Sequence, residues 1–254
     1  KQVSFVADGS ISAAGKPVTL TAAGKAAPIA GATEAIGSET LIENIGANSI
    51  ADNCGVCYDT ANDKAIALVQ EYVSAGAKYN LACYIGTNSA SSVTWGSPIA
   101  VGPYDDTTTG LLYGTIIFVP STGQIVVAGY ETGGGNAYGI VGTISGAAIT
   151  WGTKVVMHSA TGTGLAGVYD PDTTMLIYST NRNGADVGCW TATVSGTGAG
   201  GTLTVSSSEV EVSSTSYTKV GVGYDTTENK VVFAGSQSST TYIRAGTVSG
   251  SGAT

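Results

Sequence analysis

One phrase occurs four times in this chain, and the fourth copy ends before it is complete. The phrase is an apolar strand, a polar turn, a second apolar strand, a Gly/Ser-rich gap and a strand that ends near Gly-Thr. It reads CYDTANDKAIALV from Cys57, FVPSTGQIVVAGY from Phe118, YDPDTTMLIYS from Tyr169 and YDTTENKVVFAG from Tyr224. The copies begin about 50 to 60 residues apart, and four short strands at this period are typical of a β-propeller blade. The sequence therefore predicts an all-β fold, a four-bladed β-propeller.

The two ends of the chain complement each other. Copies one and two close with an outer strand around Trp95 and Trp151, whereas copy four stops before any such strand. The segment Ala35–Ile45 has the pattern of a closing strand and has no copy of its own. Because closure removes exposed strand edges, we predict that residues 33–254 form the propeller and that this N-terminal strand completes the last blade. Residues 1–32 do not fit the repeat and are predicted to form a small β element that docks on the propeller or on a neighbouring subunit.

Composition narrows the range of partners. The chain has a net charge of −8, and its eight Lys and two Arg are scattered, so we expect no binding to nucleic acid, which needs clustered positive charge. It contains no run of about 18 apolar residues, so we expect no membrane insertion. The 43% of apolar residues lie in β-branched runs and indicate a folded chain rather than a disordered one.

The sequence leaves more than one role open for the cysteines. Cys54 and Cys57 have the spacing of zinc and redox sites, but residues three apart on a strand point to opposite faces. A second such pair is missing, and His158 is the only histidine in the sequence. These observations favour small buried thiols, with a disulfide or a metal site as the alternatives. We expect no cofactor and no metal.

Three aspartates follow the first strand of their copies: Asp59, Asp170 and Asp225. In this position an aspartate caps the tight turn that leads into the second strand. The alternative is a ring of carboxylates that binds Ca²⁺. Each turn offers only one or two acids, and the pattern therefore favours turn capping.

Enzymatic sites find little support in the sequence. Sialidases hold a substrate carboxylate with three arginines, and this chain has only Arg182 and Arg244. A Ser-His-Asp hydrolase would depend on His158, which is interpreted as an incidental, exposed histidine because no G-x-S-x-G elbow is present. A glycosidase needs two carboxylates across a cleft. Candidate acids are Asp105, Asp106, Glu131 and Asp186, but every propeller has acids in its loops, and none of these four has an aromatic-rich context.

Aromatic residues on the third strands are the best candidates for recognition. Tyr138 and Tyr242 occupy matching positions, and Tyr84 and Trp190 match each other two residues further along, so all four can share one face. With the neighbouring amides Asn136 and Asn183, these aromatics form a predicted glycan or receptor-binding surface. The alternative is that they pack between blades, as tyrosines in β-sheets commonly do.

The repeat YD-x-T-x-x-K with its apolar run, followed by xGTVSG and TWG, is similar to repeats in tail-fibre and other virion-surface proteins of bacteriophages. The N-terminal stretch FVADGSISAAGKPVTLTAAGKAAPI also resembles the β segment that precedes such repeats. The resemblance implies a non-enzymatic structural protein at the virion surface, in contact with copies of itself, with other virion proteins and with host-surface glycans. It implies a virion or extracellular location. The alternatives are a subunit of a secreted bacterial fibre or surface layer and, less favoured, a carbohydrate-active enzyme.

Overall fold

The structure of the chain is a computed structural model. It describes residues 18–20, 26–28, 55–73, 78–89, 92–102, 111–131, 135–159, 162–182, 186–198, 201–215, 217, 219–237 and 239–249. The chain divides into two compact units, residues 1–39 and 40–254. In the first unit, strands β1 (Val18–Leu20) and β2 (Ala26–Pro28) form an antiparallel pair.

The second unit contains four antiparallel sheets arranged as a four-bladed β-propeller, which confirms the predicted fold class. Blade 1 comprises β3 (Gly55–Asp59), β4 (Lys64–Val73), β5 (Lys78–Asn88), β6 (Val93–Trp95) and β7 (Ile99–Ala100). Blade 2 comprises β8 (Leu111–Val119), β9 (Gln124–Glu131), β10 (Ala137–Ser145), β11 (Ala148–Trp151) and β12 (Val155–His158). Blade 3 comprises β13 (Gly162–Asp170), β14 (Met175–Arg182), β15 (Asp186–Ser195), β16 (Thr202–Val205) and β17 (Val210–Ser213). Blade 4 comprises β18 (Lys219–Asp225), β19 (Lys230–Gln237) and β20 (Thr240–Gly246).

The first and second strands of each blade are joined by a tight turn. In blades 1, 3 and 4 an aspartate caps this turn, because Oδ1 of Asp59, Asp170 and Asp225 accepts hydrogen bonds from the backbone N–H groups two and three residues later. The predicted role of these aspartates in turn capping is thus confirmed. Among the residues that the structure describes, no group of three His, Cys, Asp or Glu side chains is arranged to hold a metal ion.

Apolar side chains fill the spaces between consecutive blades. Ile66 and Leu68 of blade 1 pack with Ile125 and Ile140 of blade 2 in one buried cluster. A second cluster joins blade 2 to blade 3, and a third joins blade 3 to blade 4. Strands β9 and β14 are buried on both faces, which explains why they read as almost continuous apolar runs.

Blade 4 differs from the other three blades. In the described part of the chain, β20 pairs with β19 and has no strand on its other side, whereas the third strand of each other blade carries a fourth. The predicted closing strand Ala35–Ile45 lies outside the described residues. Closure of the last blade by this segment stays a prediction, as does the 1–32 and 33–254 division.

Three of the cysteines are free thiols in the structure. Cys83 and Cys189 are buried and Cys57 is half-buried, while Cys54 lies outside the described residues. Burial raises the pKa of the Cys57 and Cys189 thiols to about 12, so both are protonated at neutral pH. Among the described residues, the structure also contains no helix long and apolar enough to cross a membrane.

Candidate functional site between blades 2 and 3

The third strands place their aromatic residues on corresponding faces. Tyr84 pairs with Ala67 in blade 1, and Trp190 pairs with Tyr178 at the matching position of blade 3. Tyr138 pairs with Gly129 and Tyr242 pairs with Gly235, at a position two residues earlier along their strands. Trp190 contacts the preceding blade through His158, and Tyr138 packs in the cluster between blades 1 and 2. These aromatics therefore lie at blade boundaries.

Their accessibility differs widely. Tyr84 is only 1% exposed and packs with Ala67 and Ala82, so it contributes to the core of blade 1. Tyr242 is 39% exposed, and its ring stacks on Tyr217 with centroids 5.5 Å apart. Tyr138 is half-buried, with the Lys154 ammonium 4.2 Å from the centroid of its ring. The face of Tyr138 that Lys154 covers is not available for stacking on a sugar.

Of the two amides of the predicted recognition surface, Asn136 lies just before β10, beside Tyr138. Asn136 Nδ2 donates a hydrogen bond to the Tyr138 hydroxyl, with a distance of 3.2 Å between the two atoms. Lys154 also forms an ion pair with Glu131, with Nζ 3.0 Å from Oε1. Asn183 lies outside the described residues.

The face of blade 3 that lies toward blade 2 carries several polar and aromatic side chains. Trp190, Gly188 and Asp186 alternate along β15, and β14 places Arg182 opposite Asp186 at the end of the hairpin. Alternate residues of a strand share a face, and so do directly opposed residues of an antiparallel pair. The same face carries Thr180, whose hydroxyl is hydrogen-bonded to that of Tyr130 in blade 2.

Arg182 joins two carboxylates. Its Nε lies 2.5 Å from Oδ1 of Asp186, and its Nη2 contacts Oδ2 of the same carboxylate. Its Nη1 lies 2.6 Å from Oε1 of Glu209, in the segment before β17. Gly188 makes room for this arrangement, because a Cβ atom at that position would collide with Oε1 of Glu209 and would lie 2.8 Å from the Trp190 indole.

His158 of blade 2 approaches Trp190 of blade 3. The pairing of β10 with β12 shifts register between Ala137 and Tyr138, and the bulge sets His158 opposite Ala137 at the end of the strand. Its imidazole lies against Trp190, with ring centroids 4.5 Å apart. Its Nε2 atom is buried and has no hydrogen-bond partner in the structure. The expectation that His158 is exposed is therefore wrong.

Burial is the main influence on the protonation of His158. Burial lowers the pKa of the imidazole below 6.5, Glu209 and Asp186 counteract this effect, and Arg182 adds to it. The imidazole is therefore predominantly neutral at pH 7, and it offers one N–H donor and one nitrogen acceptor.

His158, Trp190 and Glu209 border an open pocket of about 450 Å³ between the closing strands of blades 2 and 3, which we call the blade 2–3 pocket. Its lining residues are Val156, Met157, His158, Ser159, Trp190, Val205, Ser206, Ser207 and Glu209. The volume lies within the range of small-molecule sites. A groove of about 460 Å³ beside β20 is lined mainly by apolar side chains, and we regard it as the weaker candidate for chemistry.

No protein-family model and no curated protein matches the chain. Solved structures do resemble it. The intramolecular trans-sialidase from Ruminococcus gnavus, in complex with oseltamivir carboxylate, matches with a TM-score of 0.50 and 12% identity over 71% of this chain and 37% of that chain. Exo-β-1,3-galactanases from Phanerochaete chrysosporium and Clostridium thermocellum match with TM-scores of 0.45 and 0.44 and identities of 9% and 12%. They match over 71% and 79% of this chain and 40% and 58% of theirs.

The chain shares a propeller fold with the trans-sialidase at a TM-score of 0.50, and the identity of 12% shows the fold alone. The prediction of a non-enzymatic virion structural protein is contradicted, because that propeller belongs to an enzyme. The comparisons also give no link to phage tail fibres. The chain spans between 37% and 58% of the length of these structures.

Proposed function

We propose that the protein is a carbohydrate-active enzyme that hydrolyses glycosidic bonds in the blade 2–3 pocket. The observation that carries the proposal is the meeting of His158, Glu209 and Trp190 in one pocket of suitable volume. The imidazole and the carboxylate at this opening combine groups for proton transfer and charge stabilisation. Trp190 is only 6% exposed and supports the imidazole through the contact between their rings.

Each side chain has a distinct task in this proposal. Glycoside cleavage passes through a transition state with positive charge at the anomeric carbon, and the Glu209 carboxylate would stabilise that charge. As water attacks the anomeric carbon and the bond to the leaving-group oxygen breaks, His158 would take the proton that the water loses, since its Nε2 has no other partner in the structure. The departing oxygen would take a proton from solvent, which reaches this open pocket, or leave as a phenolate from an aryl glycoside. Arg182 would hold Glu209 in place through their ion pair, with Asp186 fixing the other side of the guanidinium.

The test is hydrolysis of a panel of α- and β-aryl glycosides, with β-1,3-galactooligosaccharides and sialyllactose included. We expect turnover of at least one member, and we expect Glu209→Gln and His158→Gln to lower kcat/KM by roughly 100-fold each. Glu228→Gln is the matched control, because Glu228 is an exposed glutamate in the turn of blade 4, and we expect it to leave kcat/KM unchanged. A panel without any turnover, or full activity in Glu209→Gln, would contradict the proposal.

A further inference from the structure

The blade 2–3 pocket has an uneven balance of charge. Of its lining residues, Glu209 is the only one with a carboxylate, and the lining includes neither Lys nor Arg. His158 is predominantly neutral at pH 7, for the reasons given above. The remaining polar lining consists of the hydroxyl groups of Ser159, Ser206 and Ser207. The pocket thus presents hydrogen-bonding groups and the Glu209 carboxylate. Arg182 beside it is shared with Asp186, so these three side chains together carry one negative charge.

Arg182, the cation paired with Glu209, already engages two protein carboxylates. A guanidinium binds carboxylates through its two edges, and Arg182 uses one edge for Asp186 and reaches Glu209 with Nη1. A carboxylated sugar in the pocket would have to displace one of these protein carboxylates. Arg244, the other arginine, lies in the groove beside β20 rather than in this pocket.

The net charge of the whole protein also disfavours a negatively charged ligand. The chain carries a net charge of −8, which disfavours the approach of anions at low ionic strength. Like charges placed close together in a partly buried site repel, and water screens them less there than at an open surface. An uncharged sugar avoids this repulsion and can still use His158 and the serine hydroxyls as hydrogen-bond partners.

We propose that the blade 2–3 pocket selects uncharged sugar units and rejects carboxylated ones, such as uronic and sialic acids, and that Glu209 is the residue that sets this preference. This inference rests on the proposed function, since it assigns a substrate class to the same pocket. The proposed preference distinguishes this chain from the trans-sialidase that shares its fold, because the solved complex of that enzyme contains a carboxylate ligand.

The test compares ligands that differ only in the C6 group: methyl galactoside against methyl galacturonide, and methyl glucoside against methyl glucuronide. Binding is measured at pH 7.5 by the chemical-shift change of the Trp190 indole N–H in the full chain. We expect the neutral member of each pair to bind at least 10-fold more tightly. We expect the difference to shrink severalfold in Glu209→Gln and to stay unchanged in Glu228→Gln.

The outcomes distinguish this inference from the proposed function. Equal or tighter binding of the acidic sugars, or an unchanged preference in Glu209→Gln, would overturn the inference even if glycosides are hydrolysed. Selective binding of neutral sugars without any hydrolysis would support the inference and overturn the enzymatic proposal. If no sugar moves the Trp190 signal at any accessible concentration, the inference fails.

Discussion

The imidazole of His158 on blade 2 packs against the indole of Trp190 on blade 3, with ring centroids 4.5 Å apart and ring planes inclined by 40°. The contact crosses the boundary between two blades, so it depends on their relative placement and not on either sheet alone. It also covers part of the imidazole, and this burial is the largest cause of its lowered pKa.

The lowered pKa of His158 predicts a specific pH dependence of stability. In the unfolded chain the imidazole regains its ordinary pKa of 6.5, so below that pH the unfolded state binds more protons than the folded state. The free energy of unfolding should therefore fall as the pH drops through 6.5 toward the folded pKa. In His158→Gln this contribution is absent, and we expect a smaller loss between pH 7.5 and pH 5.

Urea unfolding at a series of pH values measures this effect. The carboxylates are common to both proteins, so the difference between their pH profiles isolates the imidazole. Parallel profiles for the wild type and His158→Gln would show that the imidazole keeps its ordinary pKa in the folded protein.

A second prediction concerns the turns between the first and second strands of the blades. The last turn residue has a positive φ in all four blades: 53° at Asp63, 66° at Gly123, 59° at Thr174 and 52° at Asn229. A β-branched residue is strained in this region, whereas glycine adopts it freely. We expect Thr174→Gly to raise the free energy of unfolding by about 0.5–1 kcal/mol, as measured by urea denaturation.

The matched variant is Gly123→Ala at the corresponding turn of blade 2. A Cβ atom there would meet no other atom within 4 Å, so the substitution introduces backbone strain without a steric clash. We expect a loss of about 1 kcal/mol. If Thr174→Gly destabilises the protein while Gly123→Ala has no effect, backbone strain does not govern these turns.

The sequence predicts most of the fold because its signals are local. Alternating polarity, repeated apolar runs and the turn aspartates Asp59, Asp170 and Asp225 depend on neighbours a few residues away. The period of the repeat then indicates blades. The strand spacing also places Tyr138, Trp190 and Tyr242 on matching faces, as the pairing registers show.

The candidate site is harder to predict, since its residues come together only through packing between blades and through irregular strand pairing. His158 reaches Trp190 because β12 bulges between its contacts with Ala137 and Tyr138. On blade 3, β17 shifts register between Val187 and Gly188, just after the segment that carries Glu209. A bulge has no distinctive pattern in this sequence. The one available signal was the sole histidine next to a closing strand.

The last prediction concerns the open side of blade 4. On blades 2 and 3 the fourth strand buries an apolar residue, Ile149 on β11 and Leu203 on β16. In the described part of the chain β20 has no such neighbour, and Ile243 at its centre is 71% exposed. An unpaired strand edge leaves backbone N–H and C=O groups without partners and favours aggregation. We therefore expect Ala35–Ile45 to pair with β20, in the same molecule or in a neighbouring one.

Two measurements test this pairing, one on the intact chain and one on truncated forms. Hydrogen exchange of the full chain should show slow exchange at the alternate β20 amides that face away from β19, because only a fourth strand can protect them. Deletion of residues 1–45 should cause aggregation or a far larger loss of stability than deletion of residues 1–17, the control that retains β1 and β2. Fast exchange at those amides, together with equal stability of the two truncated forms, would show that the segment does not complete blade 4. If the amides are protected only at protein concentrations where the chain self-associates, the strand pairs between molecules, and the same complementarity then builds an oligomer.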